Sequence, residues 1–114
     1  MRARILIALG LLVAGLAAAG EVAAPDPELV AVGGQLYGQM CRQCHGHEMR
    51  STGAATFDLR QFPVRDKARF ITSIMKGKNA MPAHDDVLLA PDVEALYAYV
   101  VAIQQTLTPA TGGK

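Results

Sequence analysis

Two cysteines and a histidine stand close together in one short stretch, Cys41 to His45, with the spacing C-x-x-C-H. Thiols three residues apart can each form a thioether bond with one vinyl group of a single haem. The histidine that directly follows the second thiol is then held under the iron as its proximal ligand. The stretch therefore predicts one covalently bound c-type haem, attached through Cys41 and Cys44 and ligated by His45.

The same pair of cysteines also occurs in thioredoxin-like redox sites, in disulfides and in zinc sites. A thioredoxin-like site needs a strand before the pair, within a βαβ unit, and the sequence contains no convincing strand pattern. A zinc site needs four ligands, whereas the whole chain has two cysteines and three histidines. A disulfide and a zinc site remain the alternatives to haem attachment.

A second iron ligand has to come from another part of the chain, and the sequence favours Met81. This residue lies in an irregular segment, directly before a proline that restrains the backbone. Its thioether is a soft ligand that favours ferrous iron. His84 is the rival ligand, and His47 is a weaker candidate because it lies only two residues after His45.

Residues 1–20 have the pattern of a secretory signal peptide and do not belong to the fold. Two arginines precede an apolar stretch from Ile5 to Leu16, and small residues follow at positions 17–20. Cleavage is expected after residue 19 or 20, which predicts a periplasmic protein. The alternative is an uncleaved membrane anchor, although the apolar stretch is short for a membrane span. Membrane association is expected only in that case.

The chain of 114 residues has room for one domain. We assign residues 28–107 to this domain, residues 21–27 to an extended lead-in and residues 108–114 to a mobile polar tail. A domain of this size buries little apolar surface by itself, so a large porphyrin can supply much of the core. The haem-free protein is therefore expected to be poorly folded.

The apolar periodicity predicts an all-α fold. A first helix spans about residues 28–40, a second ends at Lys76 with Gly77 as its C-terminal cap, and a last helix begins near Pro91. Residues 47–62 show no sustained period and are predicted to form a loop. The apolar stripe of the first helix comprises Leu29, Val32, Leu36 and Met40. That of the last helix comprises Val93, Leu96, Val100, Ile103 and Leu107.

Basic residues are concentrated in the middle of the chain. Eight basic and three acidic side chains lie between Arg42 and Lys78, and seven acidic side chains lie in the flanks. Each basic residue alone is explained by ordinary solvation, but the set predicts a docking face for an acidic redox partner. Nucleic acid is not an expected partner, because basic and aromatic residues are not interleaved. The residues predicted to surround the exposed haem edge are Arg42, Gln43, Lys76, Lys78 and Ala83.

These features resemble class I cytochromes c over essentially the whole mature chain. In that family a glycine and an aromatic residue precede the haem motif, as Gly33 and Tyr37 do here. The methionine loop of the family corresponds to residues 77–82. A leucine and an aromatic residue three positions later mark its last helix, and here they are Leu96 and Tyr99.

The resemblance implies three to four helices wrapped around one covalent haem, and an electron carrier in which His45 and Met81 ligate the iron. It also implies that the first and last helices cross near Gly33. One feature differs. Many family members have a proline after the haem motif, and its carbonyl accepts a hydrogen bond from the proximal histidine. Residues 53–59 contain no proline, so the acceptor for His45 is left open.

A finer resemblance links two stretches, residues 57–60 and 80–83, to small periplasmic cytochromes that serve quinoprotein (PQQ-dependent) alcohol dehydrogenases. Cytochrome domains fused to such enzymes are similar too. This resemblance implies a dehydrogenase as electron donor and an oxidase or another cytochrome as acceptor. The first alternative is a haem subunit of a larger dehydrogenase or oxidase complex. The second is a haem sensor or peroxidase-like protein with a displaceable Met81, although the sequence offers no distal acid–base pair.

Overall fold

The computed structural model describes residues 22–51, 53 and 55–107. The signal peptide and the polar tail that the sequence predicts lie outside these residues. Within the described part, four α-helices and two single 3-10 turns follow one another, which confirms the predicted all-α fold. The helices are α1 (Pro27–Met40), α2 (Arg42–His45), α3 (Lys67–Lys76) and α4 (Ala90–Leu107). The two turns span His47–Met49 and Leu59–Gln61.

The ends of α1 and α3 are set by residues with clear capping roles. Asp26 accepts a hydrogen bond from the Glu28 N–H (2.8 Å), and Pro27 occupies the first turn, where its missing N–H has no cost. Asp66 caps α3 in the same way through the Arg69 N–H (3.0 Å). Gly77, with a φ of 76°, ends α3 as predicted. Local sequence signals therefore fix where these two helices begin and where α3 ends.

The central contact of the fold is the crossing of α1 and α4 at Gly33. A Cβ atom placed on Gly33 would overlap the carbonyl oxygen of Ala95 and lie 2.9 Å from the Cβ of Tyr99. The two backbones therefore meet at a distance that only glycine permits. This confirms the predicted crossing. It also explains why glycine stands in the middle of a helix despite its poor helix propensity.

The apolar stripe predicted for α1 was wrong in its first half. Leu29 and Val32 are 41% and 47% exposed, whereas the buried residues of the helix are Gly33 and Tyr37. The close approach of α4 is centred on the smallest residue of α1, so the buried face is not the face with the largest side chains. In α4 the predicted residues Val93, Leu96 and Val100 are buried, but Leu107 at the helix end is exposed.

Aromatic rings connect α3 to α4 and to the preceding loop. Phe70 of α3 packs edge-on against Tyr97 of α4 (5.4 Å between centroids) and against Phe62 (5.6 Å). An ion pair between Lys67 and Glu94 (2.6 Å) joins the same two helices at the surface.

Among the residues that the structure describes, no helix is both long and apolar enough to cross a membrane.

Candidate haem site

The C-x-x-C-H stretch lies at a helical turn directly after α1. The Cys41 N–H donates to the Tyr37 carbonyl (2.9 Å), and the Cys41 carbonyl accepts from the N–H groups of Cys44 (3.2 Å) and His45 (2.8 Å). Both thiols are free in this structure. These bonds hold the two thiols and the imidazole on one short element, because α2 continues almost directly from α1.

The electrostatics of Cys41 differ from those of a thioredoxin-like site. Burial raises the pKa of the Cys41 thiol to about 11, with a smaller contribution from the neighbouring Cys44. Catalytic C-x-x-C pairs depend on the opposite shift, a lowered pKa that produces a thiolate near neutral pH. The environment therefore keeps Cys41 a neutral thiol. It disfavours the redox-active alternative for this pair.

The imidazole of His45 is oriented by a backbone carbonyl. Its Nδ1 lies 3.2 Å from the carbonyl oxygen of Phe57. A carbonyl only accepts hydrogen bonds, so this contact places the proton on Nδ1 and leaves the lone pair on Nε2. Burial lowers the pKa of His45, which favours the neutral imidazole. Phe57 is thus the acceptor that the sequence left open, and the arrangement is typical of a histidine that ligates a metal.

A cavity of about 390 Å³ opens beside this turn. The side chains of Cys41, Cys44, His45 and Met81 all line it, so the structure brings the four predicted site residues together. Its volume falls within the range of small-molecule and cofactor sites. The remaining wall is largely apolar, and its apolar residues include Met40, Leu59, Phe62, Phe70, Ile74 and Val100. Two thiols, an imidazole with a free Nε2, a thioether and an apolar wall fit a covalently bound haem.

Met81 is held by a tight turn after α3. The Lys78 N–H donates to the Met81 carbonyl and the Met81 N–H donates to the Lys78 carbonyl, both at 3.0 Å. Asn79, within the turn, adopts a left-handed conformation with a φ of 54°. This closed pair of hydrogen bonds fixes the backbone from which the Met81 side chain reaches the cavity.

The two other histidines are placed differently from His45. His47 is exposed and does not line the cavity. His84 does line it, but its buried Nδ1 has no hydrogen-bond partner among the described residues. A histidine that ligates a metal through one nitrogen normally donates the N–H of the other to an acceptor. If His84 ligated through Nε2, its buried Nδ1–H would find no acceptor in the described part of the chain, which costs free energy.

The predicted docking residues share their exposure, and one of them reaches the cavity. Arg42, Gln43, Lys76, Lys78 and Ala83 are all exposed, and Lys78 lines the cavity as well. Sequence reasoning missed two further residues of the wall. Arg69 is exposed and also lines the cavity, with its guanidinium 5.3 Å from the centroid of the Phe62 ring. Phe57, half-exposed at the wall, carried no signal in the sequence that marked it.

The zinc alternative finds no support in the described part of the chain. Nowhere there do three or more histidine, cysteine, aspartate or glutamate side chains cluster so that they could hold a metal ion.

Comparison with known proteins identifies the family. The model of the family described as "Cytochrome C oxidase, cbb3-type, subunit III" matches residues 28–100. The chain is 30% identical to cytochrome c-555 of Methylococcus capsulatus over 105 residues. These aligned residues cover 90% of this chain and 85% of cytochrome c-555. It is 38% identical over 79 residues to quinohemoprotein alcohol dehydrogenase ADH IIB of Pseudomonas putida.

The second similarity covers 67% of this chain but 11% of the dehydrogenase, so the chain spans about a tenth of that protein. No solved structure matches the chain. The family model and cytochrome c-555 together indicate a protein with a covalently bound c-type haem that transfers electrons and is not an enzyme. The chain therefore belongs to the cytochrome c family that includes subunit III of cbb3-type cytochrome c oxidases.

Proposed function

We propose that this cytochrome is a periplasmic single-electron carrier whose haem is attached to Cys41 and Cys44 and ligated by His45 and Met81. The observation that carries the proposal is the convergence of these four side chains on one apolar cavity, with the His45 ring already oriented by Phe57. The bound haem supplies a one-electron couple between ferric and ferrous iron. The predicted signal peptide supports the periplasmic location.

The chain's own residues contribute positioning and the exclusion of water. The Phe57 carbonyl fixes the ring of His45, and the paired hydrogen bonds between Lys78 and Met81 fix the backbone of Met81. Phe62 and Phe70 keep the cavity wall apolar. Since both ligands start from restrained backbone, little rearrangement is expected when the iron changes its charge. This suits electron transfer better than the binding of an exchangeable ligand.

The choice between Met81 and His84 as sixth ligand is tested with two variants. Met81→Leu should abolish the low-spin, six-coordinate absorption spectrum and allow the ferrous protein to bind carbon monoxide rapidly. His84→Gln should keep the spectrum of the parent, because the described residues offer no acceptor to an Nδ1–H of His84. The reverse pattern would assign the ligand to His84. Rapid carbon monoxide binding by the parent protein at neutral pH would instead favour the sensor or peroxidase-like alternative.

For the electron partners, we propose a quinoprotein alcohol dehydrogenase as donor and an oxidase or another cytochrome as acceptor. The similarity to part of the Pseudomonas putida dehydrogenase supports the donor, and the family description supports an oxidase as acceptor. The docking surface comprises the exposed Arg42, Gln43, Lys76, Lys78 and Ala83. Redox encounters bury little surface, so we expect the complex to be transient.

The partner proposal is tested by stopped-flow reduction of the oxidised protein in its native periplasmic extract, with and without a primary alcohol. Reduction should be fast only with alcohol and should slow as salt screens the docking surface. At the same salt concentration, the double variant Lys76→Ala/Lys78→Ala should be reduced more slowly than the parent. Arg65 is an exposed basic residue that does not line the cavity, so Arg65→Ala should be reduced at the rate of the parent. Reduction that ignores alcohol would exclude this donor, and a rate indifferent to salt would exclude the basic docking surface.

A second candidate, a permanent haem subunit of a larger dehydrogenase or oxidase complex, is favoured by two observations. The family is named after an oxidase subunit, and one relative contains a similar region within a much longer enzyme. Co-purification of this chain with an enzyme at a fixed stoichiometry would support the subunit. Purification as a separate small protein that the extract reduces rapidly would support the free carrier.

A further inference from the structure

The carbonyl that orients His45 belongs to a loop without a proline. A proline locks its own φ angle and so restrains the carbonyl of its peptide. Phe57, which provides the acceptor here, has no such internal restraint. A hydrogen bond of 3.2 Å to an exposed loop stays in place only if other contacts hold the loop, and the structure shows two such contacts.

The first contact is the hydroxyl of Ser51. Its Oγ lies within hydrogen-bond distance of two carbonyl oxygens, those of Gly53 (3.0 Å) and Thr56 (3.2 Å). The Thr56 carbonyl belongs to the peptide unit that directly precedes Phe57. One side chain thereby closes the loop immediately before the residue that bonds His45. Ser51 is half-buried and is not one of the residues that line the cavity.

The second contact is the aromatic ring of Phe57. It packs edge-on against Phe62, with 6.4 Å between centroids and 85° between ring planes. Phe62 in turn packs against Phe70 of α3. The Phe57 side chain is thus the outer member of a row of three rings that begins on a buried helix face. Ser51 precedes Phe57 in the chain and Phe62 follows it, so the two contacts restrain Phe57 from both directions of the chain.

We propose that Ser51 and the Phe57 ring are positioning residues that hold the Phe57 carbonyl on His45 and so set the reduction potential of the haem. The inference rests on the proposed role of His45 as an iron ligand. A hydrogen bond to Nδ1–H makes the imidazole a more basic ligand. A more basic ligand stabilises ferric iron over ferrous iron, which lowers the potential. Loosening the loop should therefore raise it.

The test uses the haem-loaded protein and two readouts that do not depend on electron-transfer activity. In Ser51→Ala, the ring N–H proton of His45 should exchange with solvent on the order of tenfold faster, as measured by NMR of the ferrous state, because the bond that protects it is weaker. The reduction potential should rise in parallel. Ser51→Thr keeps the hydroxyl, so its exchange rate and reduction potential should match those of the parent.

Thr106→Ala is the matched control, because it removes a hydroxyl that bonds the Ile103 carbonyl (2.7 Å) at the distant end of α4. It should change neither value. Phe57→Leu removes the ring contact and should speed the same exchange, while Phe57→Tyr should not. The inference is overturned if Ser51→Ala and Phe57→Leu both match the parent. If the His45 ring protons of the parent show no haem ring-current shift, the proposed ligation itself fails.

Discussion

At the scale of single residues, Tyr37 connects α1 to the chain that leaves the haem motif. Its side chain is 2% exposed, and its hydroxyl donates to the carbonyl of Gly46 (2.6 Å). Gly46 follows His45 directly and has a φ of 82°, and a Cβ there would overlap the Arg50 carbonyl. This explains the aromatic residue four positions before the first cysteine. It anchors the turn that carries His45.

Tyr37→Phe should destabilise the haem-loaded protein by roughly 1–3 kcal/mol, because the buried Gly46 carbonyl loses its donor. Denaturant unfolding measures this loss. Tyr99→Phe is the control, since Tyr99 packs on the same ring (5.0 Å between centroids) and its hydroxyl makes no hydrogen bond with the described residues. Equal losses in the two variants would show that the hydroxyl of Tyr37 contributes nothing.

The free energy of unfolding of the parent and that of Tyr37→Phe should depend differently on pH. Burial raises the pKa of Tyr37 from 10.0 to about 12. A group whose pKa is raised on folding contributes its full stability below the unfolded value and loses it as the pH passes the folded value. The parent should therefore lose its advantage over Tyr37→Phe between about pH 10 and pH 12. An advantage that stays constant over this window would contradict the assigned environment.

Residues that line the cavity could be singled out from the sequence, but the contacts that support them could not. The spacing of Cys41, Cys44 and His45 and the position of Met81 before a proline marked these four residues, and all four line the cavity. The contact of the Phe57 carbonyl with His45 depends on the path of a loop, and a loop has no periodicity to reveal it. Backbone acceptors also leave no trace in residue identity.

At the scale of helices, the contact between α1 and α4 depends on a missing side chain. Gly33 lets the backbones meet. For Gly38, one and a half turns later in the same helix, no described atom beyond its chain neighbours and the local helix backbone lies within 4 Å of the place where a Cβ would stand. Two glycines of one helix therefore have opposite meanings. The first is required by packing, and the second only lowers helix propensity.

Gly33→Ala should destabilise the protein by about 1–3 kcal/mol or more, because α1 and α4 must move apart to admit the methyl group. Gly38→Ala should instead stabilise it by up to about 1 kcal/mol through helix propensity. Thermal unfolding of the two variants beside the parent measures both effects. If both variants were stabilised, helix propensity would decide the outcome at both positions. If both were destabilised, strain elsewhere in α1 would decide it.

Helix limits were predictable because capping residues are local, as Asp66 and Gly77 show at the two ends of α3. The buried face of α1 was not, because it is chosen by the partner helix. Periodicity identified Leu29 and Val32 as apolar and regularly spaced, which they are. It carried no information about where α4 crosses. The approach of that helix placed both of them at the surface.

At the scale of the whole molecule, the cofactor cavity is part of the core. Phe62, Phe70, Ile74 and Val100 are buried residues of the central cluster and also line the cavity. A haem bound in this cavity would cover apolar side chains that the helices leave facing it. Its burial should contribute a large share of the stability of so small a domain.

The haem-free variant Cys41→Ser/Cys44→Ser should therefore lack a cooperative thermal transition and a near-ultraviolet circular dichroism signal, while keeping part of its helix content. The haem-loaded parent, measured by calorimetry under the same conditions, is the reference. A sharp transition in the haem-free protein, with a comparable unfolding enthalpy, would show that the helices form the fold without the cofactor.

One hydrogen bond has a consequence for how such a domain is used in evolution. The side-chain amide of Gln105, close to the end of α4, donates to the carbonyl of Val22 (3.0 Å), which lies just before α1. The entry and exit of the folded unit are therefore neighbours. Units built this way can be appended to, or inserted between, other domains with short connections and no rerouting of the chain. Because its two ends lie close together, a cytochrome domain of this kind suits a separate small carrier and one segment of a longer enzyme equally well.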